Sequence, residues 1–237
     1  TFNQCGLLYY PSFAANSLCT YIGNYAFQYS AIRSITFPAS VTAFGTFVIW
    51  KCQFLHTLKF EMTNSQLKVI GNDAFRQENN HSQVTEIILP PNVTHIYATA
   101  FQNQFRVTSY TLPEGLQKIY INAFASNNAL VYIAIPSTVT YVHSRGFNGS
   151  QKLRTVAIQD GQLGYSSPAS NVSFGGRTVN TVLPNTVTYH TNNGIKTATF
   201  DGYGQLTGAT NDLSGASIVV VTRYTSIGSG AFEDATT

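Results

Sequence analysis

Charge is scarce in this chain. Only 10% of its 237 residues are Asp, Glu, Lys or Arg, against about 25% in ordinary soluble domains, and Ser, Thr, Asn, Gln and Tyr supply the polar surface instead. The net charge of +3 rests on thirteen scattered basic residues with no run of Lys or Arg. Such a surface has nothing with which to track a phosphate backbone, so no nucleic-acid partner is expected. Long apolar runs are missing as well. The longest is about Ile218-Val219-Val220-Val221, far short of the roughly 18 residues of a membrane span, so no membrane insertion is expected. The chain opens on Thr1 without a signal-peptide pattern, the expectation for a processed or excised segment.

What the chain has in abundance is a repeat. A small-residue turn closes on Phe at Phe27, Phe75, Phe101, Phe124 and Phe147, the last four at steps of 26, 23 and 23 residues, with Val48 and Ile49 filling the Ala-Phe positions in between. Each turn is followed by an apolar triplet of constant spacing: Ile32, Ile35, Phe37; Leu55, Leu58, Phe60; Val84, Ile87, Leu89; Val107, Tyr110, Leu112; Leu130, Ile133, Ile135; Leu153, Val156, Ile158. Pro38, Pro90, Pro113 and Pro136 end four of the six triplets, and an apolar residue follows three later (Val41, Val93, Leu116, Val139). The last two members of a triplet point the same way along a strand, the period-two signature of a half-buried β-segment. Pro just after it ends the ladder without losing a needed donor. The Ala-Phe step fits a short turn or a single helical turn.

A period of 20 to 29 residues with one short strand each means stacked coils, none of which buries its apolar face without neighbours. The expected fold is therefore a mainly β solenoid: a right-handed, leucine-rich-repeat-like stack of about 23-residue coils with irregular coils near the C-terminus. One domain over residues 1–237 is expected, with a part-coil at 1–20, regular repeats at 21–158 and irregular repeats at 159–237. Gly161, Gly164, Pro168, Gly175 and Gly176 make 160–180 read as turns and loop. Beyond it the cadence resumes weakly at Val187, Asp201-Gly202 marks a hairpin turn, and Ile218 and Val220 read as a strand before Ile227 restarts the motif. Three cysteines leave one odd: Cys5 and Cys19 are candidates for a disulfide, or both are free, and Cys52 reads as a buried thiol.

The segments Ile22-Gly23-Asn24-Tyr25-Ala26-Phe27, Ile70-Gly71-Asn72-Asp73-Ala74-Phe75 and Ile227-Gly228-Ser229-Gly230-Ala231-Phe232, with the Pro90 to Ile96 link, resemble the BspA-like (Treponema pallidum-type) leucine-rich repeat family. Cys52 stands where that family often carries a Cys. The resemblance implies an extracellular or cell-surface protein concerned with adhesion to host matrix or to other cells. It brings no catalytic residues, so none is carried over.

Reading the residues for chemistry gives no enzyme, no cofactor and no metal site. Of the ten acids, most fall in turns; Glu86 alone sits on a regular strand, between Thr57 and Ser109 of the flanking coils, so no carboxylate pair forms there. His56, His81, His95, His143 and His190 occupy different columns of the repeat, which defeats metal-ligand spacing. Neither a nucleophile elbow nor a phosphate loop is present. Four sequons (Asn80, Asn92, Asn148, Asn171) are about what chance supplies at this composition.

Function is thus expected on a surface. The outward strand positions are Ser34 and Thr36, Thr57 and Lys59, Glu86 and Ile88, Ser109 and Thr111, Tyr132 and Ala134, Thr155 and Ala157. They form a face of small hydroxyls with Ile88 and Tyr132 as apolar anchors, suited to a protein or glycan on a host cell, a neighbouring cell or the extracellular matrix. The alternative is a structural subunit. Thr1-Phe2 enters the repeat at the step where Ala231-Phe232 leaves it, as expected of a piece of a longer array or of copies that associate end to end into a filament or coat.

Overall fold

A computed structural model describes residues 2–78, 82–159, 161–167 and 169–182, and the backbone of 186–191, 194–200 and 206–209. The regular coils alternate two kinds of short strand along the chain. They run β1 (Tyr21–Ile22), β2 (Ser34–Phe37), β3 (Ala43–Phe44), β4 (Thr57–Phe60), β5 (Val69–Ile70) and β6 (Glu86–Ile88). The series continues with β7 (His95–Ile96), β8 (Ser109–Thr111), β9 (Lys118–Ile119), β10 (Tyr132–Ala134), β11 (Tyr141–Val142) and β12 (Thr155–Ala157).

The even-numbered strands are the triplets. They pair in parallel and in the register that the spacing predicts, Ile35 opposite Leu58, Ile87 opposite Tyr110 and Ile133 opposite Val156. The odd-numbered strands, which the spacing did not single out, form a second wall, with β1 on β3 and the series β5, β7, β9, β11 in parallel order. After four of the six triplets, the Pro-x-x-apolar spacing is a hydrogen-bonded turn. The amides of Val41, Val93, Leu116 and Val139 donate to the carbonyls of Pro38, Pro90, Pro113 and Pro136 at 3.0 to 3.2 Å.

The Ala-Phe corner is a turn, not a helix. Among the described residues the only helical element is a three-residue 3-10 turn at Gln162–Gly164. Residues two before the Phe (Asp73, Thr99, Asn122) and two after it (Asn103, Ser126) take left-handed conformations, which Asn and Asp tolerate best. The corner then bonds to the next coil through the Phe amides. Phe75 N–H donates to Ala100, Phe101 to Ala123 and Phe124 to Gly146, at 2.8 to 2.9 Å.

These contacts lay the rings on one another. Phe75 to Phe101, Phe101 to Phe124 and Phe124 to Phe147 are 5.5, 5.7 and 5.2 Å apart and within 12° of coplanar. Phe2 likewise stacks on Phe27 at 5.5 Å.

Beside the rings runs a column of buried polar side chains that satisfies carbonyls at the Phe position one coil back. Gln77 Nε2 donates to Ile49 O (2.8 Å), Gln104 Nε2 to Phe75 O, Asn127 Nδ2 to Phe101 O (3.0 Å) and Ser150 Oγ to Phe124 O (2.7 Å). Asn127 also accepts from the buried Tyr110 hydroxyl at 2.8 Å. Each such bond adds about 1 kcal/mol net, and a carbonyl left bare in this core costs about 1–3 kcal/mol. Cys52 belongs to the same column, its thiol reaching Phe27 O at 2.9 Å. Burial pushes that thiol up to about 11.

One expectation is revised. The stretch read as loop holds an antiparallel hairpin, β13 (Ala169–Phe174) and β14 (Arg177–Val182). Its turn is Gly175-Gly176, both at positive φ, the pattern of a two-residue hairpin. A Cβ on Gly175 would come within 2.7 Å of the Phe147 ring. Strand β14 pairs in parallel with β12, and Phe174 extends the aromatic column, 5.8 Å from Phe147. Of the two states that the sequence left open for Cys5 and Cys19, the structure has free thiols. Cys5 O receives the amide of Ala31 beside the Phe27 corner, whereas Cys19 O receives the Ser40 hydroxyl after the triplet, so the two cysteines sit at different points around the coil. The chain divides into two compact units, residues 1–182 and 183–237. In the second unit β15 (Thr186–Thr191), β16 (Gly194–Phe200) and β17 (Leu206–Ala209) pair antiparallel. Val187, read as a resumption of the cadence, lies in one of these antiparallel strands. The Asp201-Gly202 turn, the Ile218 and Val220 strand and the Ile227 motif lie outside the described residues.

Two measurements check this core. Phe124→Ala removes a ring packed on both sides and should lower unfolding free energy by about 3–5 kcal/mol in urea titration. In thiol titration of the native protein near pH 8, two thiols should react and the third, Cys52, only after denaturation. Because folding raises the Cys52 value from 9.0 to about 11, its contribution to stability is full below pH 9 and is lost as pH rises toward 11.

Candidate interaction surface

The outward residues of the triplet strands are brought together as expected. Register places Ser34 beside Thr57, Thr36 beside Lys59, Glu86 beside Ser109, Ile88 beside Thr111, Tyr132 beside Thr155 and Ala134 beside Ala157. Strand β4 adjoins β6 and β8 adjoins β10, so three paired blocks follow one another along the stack. Parallel neighbours are spaced by about 4.8 Å, which puts Ile88 and Tyr132, two strands apart, on the order of 10 Å from each other along the stack. Ile88 is 42% and Tyr132 45% exposed, and Thr36, Lys59, Glu86 and Ser109 are exposed with them.

One member is misplaced. Ala157 is 0% exposed, whereas its register neighbour Ala134 and Thr155 of its own strand are half-buried. The face therefore ends at Thr155.

The sequence reading missed two aromatic surfaces. On the second wall, Tyr97 and Tyr120 stack at 4.8 Å and 6°, with His95 and Tyr141 about 6 Å from Tyr120. Tyr97 and Tyr120 each directly follow the buried Ile of their strand, one 23-residue step apart, so the signal was present in the spacing. At the corners of the early coils, Tyr25 stacks on Phe47 at 5.4 Å, and Trp50 packs edge-on to Tyr29 at 5.9 Å. Lys51 lies over Trp50 at 4.5 Å, donates to the Tyr29 hydroxyl at 3.0 Å and pairs with Glu78 at 3.1 Å. Those two hydrogen bonds, Tyr29 first, hold its ammonium above the ordinary lysine value.

His95 bonds Thr94 and His143 accepts from the Arg145 amide, while His81 and the side chain of His190 lie outside what the structure describes. Among the described residues no three His, Cys, Asp or Glu side chains are grouped to hold a metal ion, and no helix is long and apolar enough to cross a membrane.

The sequence profile of the BspA type leucine-rich repeat region matches residues 1–85 and 59–167, in six copies. The chain belongs to that family. Repeats of the BspA type are generally non-enzymatic. A leucine-rich repeat protein from Bacteroides ovatus superposes with a TM-score of 0.54 at 22% identity, over 69% of this chain and 41% of that one. A leucine rich cell surface protein from Faecalibacterium prausnitzii gives 0.44 at 19% identity, over 82% and 54%, and the T. pallidum leucine rich repeat protein 0.44 at 18%, over 76% and 70%. At such identities the likeness to the Bacteroides protein concerns the fold. The chain spans less than half of that protein's length and just over half of the Faecalibacterium one. No curated protein sequence matches it.

The BspA-type face gives a stability contrast. Ile88→Lys and Tyr132→Lys, on its outer side, should each change unfolding free energy by no more than about 1 kcal/mol. Ala157→Lys, at a position equivalent by sequence alone, buries an unpaired charge and should cost upwards of about 3 kcal/mol in the same denaturation experiment.

Proposed function

We propose that this chain is a non-catalytic adhesion or ligand-binding module of an extracellular or cell-surface protein, which meets a protein or glycan partner with the triplet-strand face from Ser34 to Thr155. The observation that carries the reading is the register. It aligns Ser34, Thr57, Ser109, Thr111 and Thr155 into a field of hydroxyls that holds one cation, Lys59, and one anion, Glu86, and in which Ile88 and Tyr132 are the large apolar groups. Exposed anchors among small adaptable hydroxyls are the composition of binding surfaces. Membership of the BspA-type family supports a protein-interaction or adhesion type of role.

A second reading, end-to-end assembly into a filament or coat, is favoured by the N-terminal end of the stack. There Phe2, Leu7, Tyr10, Leu18 and Tyr21 are all exposed, and β1 has a paired neighbour on one side only. Sedimentation over a concentration series separates the two: assembly predicts growing species that Leu18→Lys with Tyr10→Lys suppresses, and a constant monomer rejects it.

For the leading reading, the labelled chain is bound to extracellular-matrix protein and to whole cells. The Ile88→Lys/Tyr132→Lys double variant should bind about tenfold more weakly or worse with an unchanged melting curve. Equal binding would remove this face from the account.

A further inference from the structure

Three successive corners at the N-terminal end of the stack enclose a half-open hollow of about 260 Å³. Gly6 comes from the first corner, Tyr29 to Ala31 from the second, and Lys51, Gln53 and Phe54 from the third. We propose that this hollow binds a neutral hexopyranose, the terminal sugar of a glycan.

The chain's own repeat marks the site as a departure. Two residues after the column residue, the later coils carry Gln77, Asn103, Ser126 and Gly149, whereas these two carry Tyr29 and Lys51. Both residues hold left-handed backbone conformations, at φ of 55° and 59°. Such conformations are uncommon for large side chains.

The lining has the chemistry of a pyranose turned inside out. A hexose ring offers an apolar C–H face and a rim of hydroxyls that both donate and accept. Tyr29 and Phe54, both exposed, supply aromatic surface for the first. Lys51 and Gln53 supply polar partners for the second. The Lys51 ammonium is fixed by Tyr29 and Glu78 and has a third hydrogen to give, and the exposed Gln53 amide both donates and accepts.

Charge selects against anions, because Glu78 already offsets Lys51 at 3.1 Å and Lys51 is the one charged side chain among the lining residues. An aliphatic or aromatic peptide side chain would fill the space but strip water from Lys51 and Gln53 without replacing its hydrogen bonds. A hollow of this volume suits one sugar residue rather than a long segment of polymer.

The site lies away from the triplet-strand face and does not rest on it. Trp50 is the single tryptophan of the chain, and its ring lies 4.5 Å from Lys51 Nζ and 5.9 Å from the Tyr29 ring, so intrinsic fluorescence reports on this corner alone.

The test titrates the full chain with methyl α-mannoside, methyl α-glucoside and methyl β-galactoside, reading Trp50 fluorescence and NMR saturation transfer to the sugar protons. At least one should give a saturable response with a dissociation constant on the order of millimolar. Phe54→Ala and Tyr29→Ser should each weaken it about tenfold or more, Phe54→Tyr should retain it, and Ile88→Lys/Tyr132→Lys should leave it unchanged. Circular dichroism checks that each variant is folded. The proposal is overturned by no saturable response to any of the three sugars, by an equal response in folded Phe54→Ala and Tyr29→Ser, or by saturation with a Leu- or Phe-containing tripeptide in place of the sugars.

Discussion

The coils from Phe75 to Phe174 depend on each seating its Phe on the Phe of the next, and Ile49 takes the ring's place one coil before Phe75. A single coil of about 23 residues has no interior of its own, so its ring is buried only by its neighbours. The left-handed corners that deliver each ring also leave a carbonyl at the Phe position inside the stack, where water cannot reach it. Gln77, Gln104, Asn127 and Ser150 each answer that carbonyl from the following coil. Ring and polar side chain therefore act together: the ring supplies apolar burial, and the neighbour three residues on, or two in the case of Gln77, supplies the hydrogen bond that makes the burial tolerable. Cys52 fills the same post with a thiol, which is why it is neutral, buried and unavailable for pairing.

That arrangement decides where function can reside. The interior is committed to holding the coils together, and the two walls and the corners are what remain. The triplet wall repeats small hydroxyls, with Ile88 and Tyr132 as its large apolar members and Lys59 and Glu86 as its charges, and suits an extended partner that touches several coils at once. The corners of the early coils have a different character, concentrating Tyr25, Tyr29, Phe47, Trp50 and Lys51 in one place. A scarcity of charge serves both. Recognition there relies on shape, aromatic contact and neutral hydrogen bonds, and long-range attraction contributes little.

The features legible in the sequence were those that recur with fixed spacing. Phe75, Phe101, Phe124 and Phe147 stack because their steps equal one turn of the solenoid, and Ser34, Glu86 and Tyr132 find their partners for the same reason. Features outside that recurrence were hidden. The second wall has strands of two residues, such as Lys118–Ile119, too short to show a period. The hairpin at 169–182 replaces a coil with a different local structure that happens to place Phe174 on the same column, and its Gly175-Gly176 turn has the composition of a loop. Spacing of Cys5 and Cys19 along the chain says nothing of which part of the coil each occupies. Ala157 obeys the alternation of its strand yet is buried, and period alone carries no information on that. The Tyr29 and Lys51 corner escaped notice because it breaks the repeat instead of following it.

The central claim is that the aromatic column couples each coil to its immediate neighbours only, and a pair of double-mutant cycles measures this directly. Phe101→Leu with Phe124→Leu, rings in contact at 5.7 Å, should show a coupling of about 0.5–1.5 kcal/mol in unfolding free energy. Phe75→Leu with Phe147→Leu, three coils apart, should add within about 0.5 kcal/mol. Additivity in the first pair, or equal coupling in the second, would contradict a stack held together ring by ring.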